Sequence, residues 1–119
     1  RFTLSTNNVI DPQSERVLIN NIPSYAGNHN GGDLGFGKDG LLYVSVGDGG
    51  CDYAGNSGCA ASNDAARDKH ALLGKMLRIT KTGGIPTGNP FRGANTARCN
   101  VSGRTQVSKT CQEIFATGL

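Results

Sequence analysis

The sequence predicts an all-β chain of short antiparallel strands joined by long, polar, turn-rich loops. Three observations lead there. Glycine supplies 18 of the 119 residues with no fixed three-residue period, which excludes collagen and calls for many tight turns. Apolar residues gather in short runs of β character, such as 41–46 and 75–80, each bounded by Gly, Asn or Asp. The 4 cysteines fall inside polar loop segments, not inside these runs.

Charge and length narrow the reading further. The 12 Lys and Arg stand against 9 Asp and Glu, for a net charge of +3 spread along the whole chain, and they lack interleaved aromatics, so nucleic-acid binding is not expected. No stretch approaches the ~18 to 20 consecutive apolar residues of a membrane span, and Arg1-Phe2-Thr3-Leu4 lacks the apolar core of a signal peptide, so a soluble chain is expected. A Gly-rich chain of 119 residues buries a limited core, which points to one partial domain of something larger.

Taken in order, residues 1–5 and 15–20 read as a first hairpin with its turn around Asn7, Asn8, Asp11 and Pro12. A polar Gly/Asn stretch, 24–32, enters a second hairpin made by 33–36 and 41–46 around Gly37-Lys38-Asp39-Gly40. A long loop follows, then a short helix over 63–73 with Asn63 as N-cap and Gly74 as its stop. Residues 75–80 read as a third strand, a second long loop carries Ile85-Pro86 and Asn89-Pro90-Phe91, and 113–117 read as a fourth. Four consecutive antiparallel strands make one blade of a β-propeller. Residues 1–23 then end a preceding blade and 24–119 form one blade with long loops, about one to one and a half blades in all.

Cys51 with Cys59 and Cys99 with Cys111 each close a short loop, the simplest of the three connectivities that four cysteines allow. Zinc ligation does not fit either spacing, and no metal site is expected within the chain. Disulfides imply an oxidising compartment. Asn100-Val101-Ser102 matches a glycosylation acceptor, meaningful only in a eukaryotic source.

Gly35-Phe36-Gly37-Lys38-Asp39-Gly40 satisfies G-x-G-x-x-G, but a strand-like run follows the glycines where a dinucleotide site needs a helix, so a hairpin turn is the reading. If Lys38-Asp39 is a two-residue loop, Gly37 faces Gly40, paired positions sum to 77, and His29 lies opposite Asp48. A carboxylate accepting from one ring nitrogen leaves the other as a proton acceptor, which is what general-base catalysis needs. The alternative for His29 is an ordinary solvated loop histidine. His70, beside Lys69 in the expected helix, reads as a surface residue. Asp52, Asp64 and Asp68 lack an ordered calcium-loop pattern and read as loop and capping residues.

Asn28-His29-Asn30-Gly31-Gly32-Asp33-Leu34, Phe36-Gly37-Lys38-Asp39-Gly40, Leu42-Tyr43-Val44 and Gly47-Asp48-Gly49-Gly50 resemble the soluble glucose/sorbosone dehydrogenase family, which uses pyrroloquinoline quinone. Leu73-Gly74-Lys75-Met76-Leu77-Arg78-Ile79, Gly84-Ile85-Pro86, Asn89-Pro90-Phe91 and Glu113-Ile114-Phe115-Ala116-Thr117-Gly118-Leu119 follow in the family's order. The resemblance implies a fragment of a six-bladed propeller carrying the quinone and a calcium ion, and oxidation of the anomeric hydroxyl of an aldose or sugar polymer. It assigns His29 as the catalytic base, Asp48 as its orienting carboxylate, and Asn28 and His29 as cofactor contacts. Asn28 stands where glucose enzymes often carry aspartate, and Asp33 where many relatives have arginine. The family's calcium ligands and remaining blades lie beyond Leu119, so the fragment alone is expected to be inactive. The parent would be secreted or periplasmic. Two other functions compete: a non-catalytic propeller that binds protein or carbohydrate, as in hedgehog-interacting proteins, and a disulfide-stapled β domain that attaches a larger secreted enzyme to a polysaccharide or partner.

Overall fold

The computed structural model describes residues 1–23, 28–50, 65–105 and 108–119. Its centre is a four-stranded antiparallel sheet in the spatial order β3 (Leu34–Phe36), β4 (Leu42–Val46), β5 (Lys75–Ile79), β8 (Ile114–Thr117). Three of its connections are between sequence neighbours among the predicted strands, which is the arrangement of a propeller blade. The expected all-β class and the four expected strands are thus present.

The period-2 pattern explains why these runs pair. Along β5 the burial alternates, with Lys75, Leu77 and Ile79 inside and Met76 and Arg78 half-buried. Leu77 faces Val44 and Ile114 across the sheet and joins Leu72, Cys99 and Cys111 in the core, against which Ile19, Ile22, Val46 and Phe91 pack. On the opposite face the Arg78 guanidinium lies 4.2 Å from the Phe115 ring centroid, and Tyr43 meets Phe115 edge-on at 5.5 Å.

The β3–β4 turn departs from the expected two-residue loop. Gly37 N–H donates to the Leu41 carbonyl and Gly40 N–H to the Gly37 carbonyl, with Gly40 at φ +72°, so the loop has three residues and paired positions sum to 78, as in Leu34 with Val44. A type I turn closed by a left-handed glycine matches the strand twist here. The Asp39 carboxylate accepts from Leu41 N–H and from the Tyr43 hydroxyl, and these bonds hold it below the ordinary carboxylate range.

The first hairpin also differs from expectation. β1 (Thr3–Leu4) pairs with β2 (Ile10–Asp11), not with 15–20. Pro12 ends the ladder and starts a 3-10 turn, Pro12–Ser14, capped by the Asp11 carboxylate on Gln13 N–H.

The expected helix over 63–73 is not formed in its described part, 65–73, which is built of turns. Its backbone groups are taken by distant loops: Leu72 N–H reaches the Gly103 carbonyl, Thr105 N–H the His70 carbonyl and Cys111 N–H the Lys69 carbonyl. Once these groups have long-range partners, no helical ladder remains to be made. The second long loop holds a short parallel pair that the sequence did not suggest, β6 (Thr96–Ala97) with β7 (Thr110–Cys111), beside the Cys99–Cys111 disulfide.

Candidate functional site

The β3–β4 ladder continues toward the glycine-rich segment through Ser45 N–H to the Asp33 carbonyl, Gly47 N–H to Gly31 and Gly49 N–H to His29. His29 therefore faces Gly49, one residue from the expected Asp48. In a flat ladder Asp48 would point to the other side of the sheet. The backbone is not flat here: His29 has φ +54°, and Gly49 and Gly50 have φ +81° and +78°. These left-handed turns break the alternation, and His29 Nδ1 lies 2.9 Å from Asp48 Oδ1. The expected residues are brought together through a register the expectation did not include. A left-handed histidine costs on the order of 1 kcal/mol and persists only where its surroundings fix it.

An ionised carboxylate only accepts, so the neutral imidazole that suits this contact is the Nδ1–H form, which leaves a lone pair on Nε2. Asp48 Oδ1 also accepts from Gly50 N–H at 3.0 Å, which fixes the carboxylate from its own turn. The carboxylate side chain is 17% exposed and the imidazole 46%, so the pair is anchored at the acid and open at the base. Nε2 makes no hydrogen bond among the described residues. This arrangement can take a proton from a bound hydroxyl.

The surrounding glycines divide by cause. A Cβ at Gly47 would lie 2.0 Å from the His29 carbonyl oxygen, and one at Gly32 2.0 Å from that of Ser45, so both are demanded by backbone approach within the ladder. Gly31 alone of the three faces open space. A cleft of about 260 Å³ beside this segment is lined by Asn30, Gly31, Gly47 and Leu73 among others, and by neither His29 nor Asp48.

The remaining expected site residues are distributed as follows. Asn28 is exposed next to His29. Cys99 and Cys111 are bonded and almost fully buried, whereas the Cys51–Cys59 pairing, Asp52 and Asp64 lie outside the described residues. Asp68 caps a turn by accepting from His70 N–H. His70 is not the surface residue expected: it is half-buried, and its Nδ1 holds the Lys109 carbonyl because the turn folds inward where a helix would have faced out. Among the described residues no three or more His, Cys, Asp or Glu are grouped as metal ligands would be.

Three buried polar groups were not anticipated. The Glu113 carboxylate, wholly buried, accepts from Arg98 Nε at 2.7 Å and from Cys99 N–H. Asn89 bridges β5 to the β8 approach, its amide donating to the carbonyls of Arg78 and Gln112. Lys75 is fully buried, and burial pushes its ammonium down to about 8 from 10.5, with Asp68 acting in the opposite sense. A charged residue inside a strand-like run, as at Lys75 and Glu113, was the available signal; it reads as a solvated face unless the neighbouring loops are known to cover it.

Comparison with known proteins bears on the fold and the family. Residues 1–103 match the family described as Glucose / Sorbosone dehydrogenase. The chain is 36% identical over 94 residues to HIPL2 protein of Arabidopsis thaliana, covering 66% of this chain and 12% of that protein. It is 32% identical over 87 residues to the aldose sugar dehydrogenase YliI of Escherichia coli (strain K12), covering 72% of this chain and 20% of that protein. A solved glucose dehydrogenase superposes with a TM-score of 0.59 at 27% identity, covering 84% of this chain and 26% of the other. The chain thus spans between an eighth and a fifth of the length of these curated relatives. The Cys99–Cys111 bridge fits a non-cytoplasmic setting, and no helix among the described residues is long and apolar enough to cross a membrane. The antiparallel blade, the ordered motifs and the match over residues 1–103 agree: the chain belongs to the glucose/sorbosone dehydrogenase family.

Proposed function

We propose that this chain carries the proton-accepting part of a secreted or periplasmic quinone-dependent sugar dehydrogenase, with His29 as general base and Asp48 as the carboxylate that orients it. The observation that supports the reading is the 2.9 Å contact between His29 Nδ1 and Asp48 Oδ1, with the imidazole half-exposed beside open Gly31. In this role Asp48 holds the ring so that Nε2 faces the substrate and stabilises the imidazolium once Nε2 has taken the anomeric hydroxyl proton. The left-handed turn at His29 sets the ring's direction, and the Gly50 N–H keeps the carboxylate from rotating away.

The donor set fits pyrroloquinoline quinone in part. Asn28 and His29 offer polar groups to it, both exposed at the open side of the pair. When bound, the quinone supplies the hydride acceptor. Residues 1–23 belong to the end of a preceding blade and 24–119 to the next in this reading. The cationic contacts, calcium and remaining blades come from other parts of the protein, and the 119-residue chain by itself is expected to be inactive.

The test is aldose oxidation by the protein that contains this chain, reconstituted with the quinone and calcium and coupled to a dye acceptor. His29→Ala is expected to lower kcat by about 10²- to 10⁴-fold, the usual contribution of a positioned base. Unchanged turnover in that variant would sink the enzymatic reading. The second reading, a non-catalytic module that binds protein or carbohydrate, draws on exposed Leu34 and Phe36 at the β3 edge; retained binding without turnover in the unsubstituted protein would favour it.

A further inference from the structure

Lys75 has no place in the chemistry above, yet its setting is specific. It is wholly buried on β5, opposite Val46, the residue two before Asp48. Its ammonium has three donors, and three carbonyls receive them: Leu73 at 2.7 Å, Ala66 at 3.0 Å and Ala65. These carbonyls belong to two turns, at 65–66 and 73–74, that the ammonium links. Gly74, at φ +63°, leaves no room for a Cβ because Ala66 Cα stands 2.5 Å from that position. The amide of Gly74 then donates to the Gly47 carbonyl at 2.9 Å, directly before Asp48, while Gly47 N–H holds Gly31 and Gly49 N–H holds His29.

We infer that Lys75 is a positioning residue for the His29–Asp48 pair: by gathering the carbonyls of Ala65, Ala66 and Leu73 it fixes the turn whose Gly74 amide pins the backbone at Gly47. The inference rests on the reading of His29 as a base. The connection runs through contacts only, from the ammonium to Leu73, from Gly74 to Gly47, and from Gly47 and Gly49 to the His29 strand. An apolar residue at 75 would take the ammonium from all three carbonyls, leaving Ala66 only its bond from Gly118 N–H, and the link it makes between the two turns would be lost. Asp48 would then lose the backbone frame from which its carboxylate reaches Nδ1.

The experiment records which ring nitrogen of His29 bears the hydrogen, by long-range proton–nitrogen spectra of the full 119-residue chain with the ring neutral. The unsubstituted chain is expected to show the Nδ1–H form. Lys75→Met is expected to lose that preference while retaining its sheet signal and the Cys99–Cys111 bridge, and Lys75→Arg to restore part of it. Lys75→Met that keeps the Nδ1–H form overturns this inference and leaves the base reading standing. An unsubstituted chain with the hydrogen on Nε2 overturns the base reading, and the inference with it. Should Lys75→Met not fold, hydrogen exchange in the unsubstituted chain decides: the amides of Gly74, Gly49 and Gly50 opening together supports the inference, and Gly74 opening without the other two refutes it.

Discussion

Asp48 and Glu113 are two carboxylates that each accept from a nitrogen base and from backbone N–H, yet their surroundings differ. Glu113 is wholly buried, shares its two oxygens between Arg98 and Cys99 N–H, and ties the Cys99–Cys111 loop to the start of β8. Arg98 in turn donates to the Gly83 carbonyl, so the network has no free base. Asp48 is anchored by Gly50 but bonds to an imidazole that is nearly half-exposed. A closed network of this kind contributes stability; an acid anchored on one side and a base open on the other leaves a proton acceptor facing solvent. The same pairing chemistry thus closes one region and leaves an imidazole exposed in the other.

The largest effect is expected at Glu113. Glu113→Ala should lower unfolding stability by about 3 kcal/mol, since it strands a buried amide and an arginine that is only partly able to reach water. Asp48→Ala should change the same stability, measured by urea unfolding, by no more than about 0.5 kcal/mol; equal losses at the two sites would erase the distinction. Replacing both Cys99 and Cys111 by Ala should cost about 3 kcal/mol, the chain-entropy value for a loop with a sequence separation of 12, and leave the His29 tautomer as it was. Thermal unfolding and the ring spectra measure the two halves of that statement.

Gly47→Ala carries the comparison into the open site. Its Cβ would meet the His29 carbonyl at 2.0 Å, so the ladder must part there, at about 2 kcal/mol, with loss of hydrogen-exchange protection at Gly49. Protection retained at Gly49 would mean that the ladder there does not depend on the close approach. The last effect concerns pH. Lys75 titrates at about 8 in the folded chain against 10.5 ordinarily, so between those values the unfolded chain holds a proton that the folded one lacks. Its contribution makes stability rise with pH across that window, and Lys75→Met should flatten the rise in denaturant titrations.

Much of the sheet was legible. The runs at 41–46, 75–80 and 113–117 carry the apolar periodicity of half-buried strands, and each became β4, β5 or β8 within a residue or two. The short helix was not legible, because residues 65–73 have a helix-compatible pattern and lose it only when Gly103, Arg104 and Cys111 arrive from far along the chain. The pairing of His29 with Asp48 is the instructive case. Counting across a two-residue turn brought the two residues together, but the turn has three, and the observed register alone would have set them on opposite sides. What joins them is the left-handed backbone at His29, Gly49 and Gly50. A glycine can be expected to adopt such an angle; that a histidine does so depends on what surrounds it.

By itself, then, the sequence determined the strands, the order of motifs, the loop disulfide at Cys99 and Cys111, and the two residues worth pairing, since each depends on residue type and on neighbours within a few positions. Only the tertiary structure decided the register, the loss of the helix, the burial of Lys75 and Glu113 and the direction of the His29 ring. Those depend on which distant backbone groups compete for the same hydrogen-bond partners and on what covers a charged side chain, and neither quantity is carried by local sequence.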